Sequence, residues 1–208
     1  MIDFYTWKTP NGRKVSIMLE ELGLEYRFHG IDITKGEQHT PEFIAINPNS
    51  KIPAIVDSDG PGGEPITVFE SGAILMYLAE KCDSPLLPKD TRARYRVLQW
   101  LMLQMGGVGP MFGQLHHFLQ FAKEDIPYAK KRYHDEASRL YGVLDKQLGS
   151  VPYLAGEDYS IADIATYPWV ARAAWQNIDL AELPSVKDWF ERISARPGVE
   201  RGMAPPHS

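Results

Sequence analysis

The hydrophobic pattern of this chain changes once, and the change restricts its fold more than any other feature. Up to residue 82, short period-2 runs of apolar residues alternate with runs of helical periodicity. From residue 91 onward the convincing runs are all helical. The pattern predicts an α/β domain over residues 1–82, a Pro-containing linker over 83–90 and an all-helical domain over 91–208.

The first domain is predicted to follow the order β-α-β-α-β-β-α. Strands are predicted at residues 2–6, 26–31, 54–57 and 66–69. The first helix is opened by residues 9–11 and has its apolar stripe over 15–22, and two more helices are predicted at residues 41–46 and 71–81. Gly23 can end the first helix in a left-handed conformation. The Gly- and Pro-rich residues 59–63 form a turn short enough to make the last two strands an antiparallel hairpin.

The second domain is predicted to be a bundle of helices. They are expected at residues 91–121 with a break at 106–110, and at residues 127–148, 160–176 and 185–196. Ser160 and Asp163 have the spacing of a capping box, with Asp in place of the usual Glu. Residues 161–170 are apolar nearly all round, so we expect this helix at the centre of the bundle.

Cysteine content and charge limit what the chain can bind. A single cysteine, Cys82, excludes an intrachain disulfide, a CxxC pair and a cysteine-rich zinc site, and is typical of a reducing compartment. The net charge of −5 argues against nucleic acid as the main partner. The sequence contains no apolar run of membrane-helix length and no leader pattern, so we expect no membrane partner and a cytoplasmic location. A small ligand is the expectation.

The predicted start of the third helix has the features of an anion site. Ser71 lies at its N-terminus, where N–H groups without an intrahelical partner and the helix dipole favour a carboxylate, and its hydroxyl can donate a further hydrogen bond. Glu70 is then available to an ammonium group. The alternative is that Ser71 is only a helix cap and Glu70 a solvated charge.

Three motifs, together with the predicted order of elements, are similar to those of a known family. They are NPNSKIPAIV at residues 47–56, FESGAI at 69–74 and YSIAD at 159–163. Over essentially its whole length the chain resembles the glutathione transferase superfamily. The resemblance implies a thioredoxin-like N-terminal domain that binds glutathione, followed by a C-terminal helical bundle.

Three further segments are similar to a narrower group. TPNG at residues 9–12, GEP at 63–65 and GGVGPM at 106–111 resemble the bacterial Nu-class branch, which reduces disulfides with glutathione. The resemblance implies glutathione as a co-substrate, no metal, and a homodimer. Adjacent His116 and His117 point in different directions on a helix and do not form a metal pair.

The start of the first helix is where thioredoxin-like reductases carry a reactive cysteine, and this chain has none there. A redox role therefore takes its thiol from glutathione. Thr9 and Asn11 are the candidate catalytic residues, since their hydrogen bonds can stabilise the thiolate; a fall of one unit in the thiol pKa takes about 1.4 kcal/mol. Both are also common helix caps. Tyr5 is a competing thiol activator, as in several transferase classes.

The remaining candidate residues would bind glutathione along its length. A cis bond before Pro53 would turn the backbone of Ile52 outward to pair with the cysteinyl backbone of the tripeptide, the alternative being a trans proline in a turn. The resemblance assigns the γ-glutamyl group to the anion site described above. It implies glutathione contacts for Asn11, Gln38 and Lys51, and for Arg132 from the partner subunit.

The functional prediction is glutathione-dependent reduction of small disulfides. A second enzymatic hypothesis is conjugation of glutathione to small electrophiles, because an activated thiolate serves both reactions. A third hypothesis is a non-catalytic glutathione-binding regulatory module, since fold does not fix function.

Overall fold

The chain forms two compact units in a computed structural model that describes residues 1–204. One unit contains Met1–Ser84 and the segment that begins at Arg196, and the other contains Pro85–Ala195. The segment from Arg196 thus groups with the α/β unit, whereas the sequence pattern placed it with the helices. Residues 205–208 of the expected helical domain lie outside the described residues.

The α/β unit has the predicted order of elements and a thioredoxin-like mixed sheet. The strands are β1 (Ile2–Thr6), β2 (Tyr26–Gly30), β3 (Ala54–Asp57) and β4 (Ile66–Phe69). The helices of its first 84 residues are α1 (Pro10–Leu22), α2 (Pro41–Ile46) and α3 (Ser71–Lys81). The strand order is β2-β1-β3-β4, with β2 parallel to β1 and with β3 antiparallel to both β1 and β4. The predicted antiparallel hairpin is confirmed.

Local sequence fixes both ends of α1. The Thr9 hydroxyl accepts a hydrogen bond from the Gly12 N–H at 3.2 Å, and Pro10 occupies the first turn, where its missing N–H costs nothing. Gly23 ends the helix with φ of 63°, the left-handed conformation expected for it. Val15, Met18 and Leu19 form part of the buried face that holds α1 on the core.

The second unit is helical, as predicted. Its helices are α4 (Thr91–Leu103), α5 (Gly109–His116), α6 (Pro127–Leu148), α7 (Ile161–Val170) and α8 (Pro184–Ser194). The expected break is a π-helical turn over Gln104–Val108 that leads directly into α5. No helix within residues 1–204 is long and apolar enough to span a membrane.

The helix predicted over residues 160–176 is shorter in the structure. It ends at Val170 and is followed by a separate 3₁₀ turn over Ala173–Gln176. Pro168 brings no N–H to the last turn of α7, and Asn177 closes the 3₁₀ turn in a left-handed conformation with φ of 56°. The apolar periodicity continues through this interruption, so it could not locate the end of the helix.

The capping box and the central position of α7 are both confirmed. All residues of Ile161–Val170 are buried, and so is the carboxylate of Asp163. That carboxylate accepts hydrogen bonds from the Ser160 N–H and hydroxyl, the Leu154 N–H and the indole N–H of Trp189. Asp163 therefore joins the start of α7 to the preceding loop and to α8.

The last helix, α9 (Pro197–Met203), explains why the C-terminal segment groups with the α/β unit. It packs on α1, and the Ser16 hydroxyl donates to the Gly202 carbonyl at 2.7 Å. Arg196 forms a two-pronged ion pair with Glu21, with its closest contact at 2.8 Å. The chain thus returns after α8 to cover the helix that follows β1.

Candidate active site

The register of the sheet brings three of the predicted site segments to one end. Tyr5 lies opposite Ala54, and Ala54 lies opposite Phe69. Because β3 runs antiparallel to both neighbours, the residues that follow β1, precede β3 and follow β4 lie at the same end of the sheet. These are the start of α1 with Thr9 and Asn11, the Ile52–Pro53 pair, and the Glu70–Ser71 pair.

The junction between β4 and α3 has an unusual backbone. Glu70 precedes the helix with φ of 68° and ψ of 115°, in the positive-φ region that residues other than glycine seldom adopt. Its side chain is exposed, whereas Ser71 at the first helical position is buried. The junction therefore presents a carboxylate to solvent beside the N-terminus of α3.

A buried lysine lies behind this junction, and sequence reasoning missed it. Lys14 on α1 is 1 % exposed, and its Nζ atom donates to the Ser71 hydroxyl at 3.3 Å. Burial lowers the Lys14 pKa to about 7, and the nearby Glu70 carboxylate opposes that shift. Lys14 is one helical turn before Met18, on the apolar face of α1. A cation on an apolar helix face was the sequence signal that could have identified this residue.

The start of α1 can donate hydrogen bonds to an anion. Thr9 uses a lone pair to cap the helix and keeps its hydroxyl hydrogen for a further acceptor. Asn11 is half-buried in the first turn, among the N–H groups that have no partner within the helix. Capping and ligand binding are therefore compatible roles for Thr9.

The Ile52–Pro53 peptide bond is cis, as the resemblance implied. Within residues 1–204 neither the N–H nor the carbonyl of Ile52 forms a hydrogen bond. The preceding loop is held by Asn47, whose buried amide donates to the Lys51 carbonyl at 2.5 Å and accepts from the Asn49 N–H at 2.9 Å. Ile52 thus offers a backbone donor and acceptor at the end of β3.

Two other predicted contacts lie nearby in sequence. Lys51 is exposed immediately before Ile52. Gln38 is half-buried in a 3₁₀ turn over Glu37–His39, before α2. Its Nε2 lies 3.2 Å from a ring nitrogen of His39, while its Oε1 is buried without a hydrogen bond from any described residue. Gln38 therefore retains an acceptor for a ligand.

Tyr5, the competing thiol activator, lies half-buried in β1. Its ring stacks on His29 with centroids 4.5 Å apart. Burial, followed by the charge of Asp3, raises the pKa of Tyr5. Tyr5 therefore keeps its proton, and its part in thiol activation stays a prediction.

Arg132 belongs to the helical unit, unlike the other candidates. It is exposed on α6 and lines a groove of about 810 Å³ together with Tyr128, Lys131 and Arg139. The charge of Arg132 also acts on Glu136, one turn along the helix. The groove also contains Asp135 and Glu136, so its charges are mixed, and it is open to solvent.

Cys82 lies at the end of α3, and the histidine pair belongs to the helical unit. Cys82 follows the last residue of α3, and burial raises the pKa of its thiol, so it resists forming a thiolate. Burial lowers the pKa of His116 to about 4, and one of its ring nitrogens lies 3.0 Å from Nε2 of Gln176. Among the described residues, no three His, Cys, Asp or Glu side chains are placed to share a metal ion.

The geometry suits a ligand with a carboxylate, a peptide backbone and a thiol. Comparison with known families bears on which ligand this is. Residues 9–81 match the glutathione S-transferase N-terminal domain, and residues 108–197 match the glutathione S-transferase C-terminal domain. The chain belongs to the glutathione S-transferase family.

Two proteins of Escherichia coli are similar to this glutathione S-transferase over nearly its full length. The disulfide-bond oxidoreductase YfcG of Escherichia coli K12 is 54 % identical over 204 residues, covering 98 % of this chain and 94 % of that protein. The disulfide-bond oxidoreductase YghU of the same organism is 41 % identical, covering 97 % of this chain and 73 % of that protein.

Solved structures of other glutathione transferases have the same fold. A family member from Pseudomonas fluorescens, with two glutathione bound, is 48 % identical with a TM-score of 0.94, covering 99 % of this transferase and 93 % of that chain. One from Pseudomonas putida, with one glutathione disulfide bound per subunit, is 45 % identical with a TM-score of 0.92. The match covers 99 % of this transferase and 92 % of that chain. The predicted architecture and family are confirmed.

Proposed function

We propose that this glutathione S-transferase reduces small disulfides with glutathione. The observation that carries the proposal is the 54 % identity, over nearly the whole chain, to a protein named a disulfide-bond oxidoreductase. The site agrees with it, since the start of α1 carries Thr9 and Asn11 where a cysteine-dependent reductase would have its thiol. Glutathione is therefore the source of the reacting sulfur.

In this proposal glutathione lies along one end of the sheet. Its γ-glutamyl carboxylate binds the N-terminus of α3 and the Ser71 hydroxyl, and its ammonium faces Glu70. Its cysteinyl backbone pairs with Ile52 beside Pro53. Two more residues, Gln38 and Lys51, supply polar contacts.

The thiol then lies near the start of α1. Hydrogen bonds from Thr9 and Asn11 and the dipole of α1 stabilise the thiolate. The thiolate attacks one sulfur of a disulfide RSSR, forming a glutathione mixed disulfide and releasing RS⁻, which takes up a proton. A second glutathione thiolate attacks the mixed disulfide, giving glutathione disulfide and the second RSH. The two glutathione, or one glutathione disulfide, in related structures support this stoichiometry for the present chain.

Assembly, domain roles and location belong to the same proposal. The thioredoxin-like domain over residues 1–82 binds glutathione, and residues 83–90 link it to the helical domain. The protein acts as a Nu-class homodimer in the cytoplasm, with Arg132 reaching the ligand of the partner subunit. A reducing location is supported by the dependence on glutathione thiol and by the single cysteine.

Conjugation of glutathione to small electrophiles is the second candidate, favoured by family membership. A parallel assay of the purified protein against a model disulfide and a model aryl halide, each with glutathione, separates the two. We expect faster turnover of the disulfide. A ratio in favour of the aryl halide would establish the conjugating enzyme instead, and no turnover of either would establish the non-catalytic binding module.

A further inference from the structure

The buried amine of Lys14 is a feature that the proposed function has not used. Lysine is almost never fully buried unless it has a partner, and here its Nζ contacts the Ser71 hydroxyl at 3.3 Å. The same hydroxyl stands at the N-terminus of α3. The Ser71 hydroxyl oxygen thus lies between the Lys14 amine and the proposed carboxylate site.

The direction of this hydrogen bond follows from the chemistry of the two groups. A protonated lysine amine has three donors and no acceptor, whereas a serine hydroxyl has one donor and two acceptor lone pairs. Ser71 must therefore accept the bond from a charged Lys14. The bond from Lys14 does not use the Ser71 hydrogen, and a carboxylate at the end of α3 is the strongest kind of acceptor for that hydrogen.

We propose that Lys14 is a positioning residue that orients the Ser71 hydroxyl to donate to the γ-glutamyl carboxylate of glutathione. The inference rests on the proposed function, because it requires the γ-glutamyl group to bind at Ser71. It adds a residue on α1 to a subsite that is otherwise formed by the junction of β4 and α3.

Charge acts in the same direction as the hydrogen bond. The amine adds a positive charge behind the N-terminus of α3. Its surroundings exclude water, and charges interact more strongly there than in solvent. Burial holds the Lys14 pKa near 7, while the exposed carboxylate of Glu70 favours the charged form. A ligand carboxylate bound at Ser71 favours the charged form as well.

The test is a double-mutant cycle on glutathione binding, measured by calorimetry. The variants are Lys14→Met, Ser71→Ala and the double variant, with Lys14→Gln as a conservative replacement that keeps a donor. Lys146→Met, an exposed lysine on α6, is the matched control. The second ligand is 4-aminobutyryl-cysteinylglycine, which is glutathione without its α-carboxylate. Circular dichroism checks the fold of each variant.

We expect Lys14→Met to weaken glutathione binding at least fivefold and to leave binding of the analogue unchanged. We expect Lys14→Gln to weaken it at least twofold, but less than Lys14→Met, because an amide can accept as well as donate. The double variant is expected to bind glutathione more tightly than the product of the two single effects predicts, since Lys14 acts largely through Ser71. Lys146→Met is expected to match the unmodified protein.

Each alternative result overturns a defined statement. Unchanged glutathione affinity in either folded Lys14 variant, or effects of Lys14→Met and Ser71→Ala that multiply, would refute the positioning role. If Ser71→Ala weakens binding and Lys14→Met does not, the carboxylate site stands without Lys14. If Ser71→Ala leaves the affinity unchanged, the placement of the γ-glutamyl group is wrong, and the inference about Lys14 fails with it.

Discussion

The Thr9 hydroxyl has two uses that draw on different parts of the group. Its lone pair caps α1 by accepting from Gly12, and its hydrogen is available to a thiolate.

Cys82, in contrast, follows the last residue of α3, and its thiol has a raised pKa. About eleven residues of helix at about 1.5 Å each separate it from the Ser71 end by roughly 16 Å. Thiol chemistry at the start of α1 therefore has no protein sulfur to draw on.

We expect Thr9→Val to lower kcat for disulfide reduction about 10- to 100-fold, because one hydrogen bond to a charged group is worth about 1.5 to 3 kcal/mol. Glutathione affinity is expected to change less, since the bond matters most to the thiolate. Asn11→Ala is expected to act in the same way. Steady-state kinetics with a model disulfide measure both effects, and Thr9→Ser is the matched control that keeps the hydroxyl.

Cys82→Ser is expected to retain most of the reductase activity. The same kinetic assay applies, with folding checked by circular dichroism. Loss of activity in folded Cys82→Ser, together with normal turnover after the changes at Thr9 and Asn11, would contradict a mechanism that takes its sulfur from glutathione.

Single residues were predictable where a motif and a helix end coincide. Ser71 and Thr9 both stand at helix starts that the sequence marks clearly, and the cis bond at Pro53 followed from the family resemblance. Lys14 was not predicted, because its burial depends on how α1 packs in three dimensions. The glutathione contacts of Gln38, Lys51 and Arg132 remain predictions.

At the scale of elements, boundaries were predictable where capping chemistry sets them. α3 begins and ends at its predicted residues, whereas the helix predicted to reach residue 176 stops at Val170. The helix α9 was not anticipated as a cover for α1, since neither its length nor its periodicity identifies the surface that it packs on. Periodicity reports that a face is apolar, but not which element covers it.

The capping box of α7 gives a sharp stability prediction. Asp163→Ala removes the acceptor for the Leu154, Ser160 and Trp189 donors in the core, and we expect the free energy of unfolding to fall by about 3 to 5 kcal/mol. Urea titration measures the change. The control is exposed Asp158→Ala, expected within about 0.5 kcal/mol of the unmodified protein. Equal losses in the two variants would refute a central role for Asp163.

The contact between α9 and α1 gives a second stability prediction. A Cβ atom on Gly202 would lie 2.4 Å from the Cα atom of Ile17, so the two backbones would have to separate. We expect Gly202→Ala to cost about 1 to 3 kcal/mol of stability in urea titration. Gly142→Ala on α6, where a Cβ atom meets nothing within 4 Å, is expected to stabilise by up to about 1 kcal/mol. A Gly202→Ala protein as stable as the parent would contradict the close packing.

At the scale of the whole molecule, the proposed homodimer predicts that active sites can be shared between subunits. A Ser71→Ala chain and an Arg132→Ala chain each form defective dimers, but a hybrid of the two contains one site with both residues intact if Arg132 acts on its partner. With random mixing of the chains, about a quarter of the sites in the mixture are then intact.

The measurement is reductase activity after the two purified variants are unfolded together and refolded. We expect activity to rise to about a quarter of that of the unmodified protein, relative to the variants refolded separately. No gain on mixing would refute a contribution in trans. Sedimentation at 23.5 kDa, the mass of one chain, at micromolar concentration would exclude the dimer itself.

The position of α9 on α1 has a consequence for biosynthesis. The ribosome makes residues 1–84 long before it reaches Pro197, where the helix that covers α1 begins. Domains generally fold as units during synthesis, starting from the N-terminus, but this one lacks α9 until the whole helical unit has been made. The nascent chain therefore carries an uncovered α1 face through the synthesis of the entire helical unit. Completion of the thioredoxin-like unit therefore waits for synthesis of the helical unit.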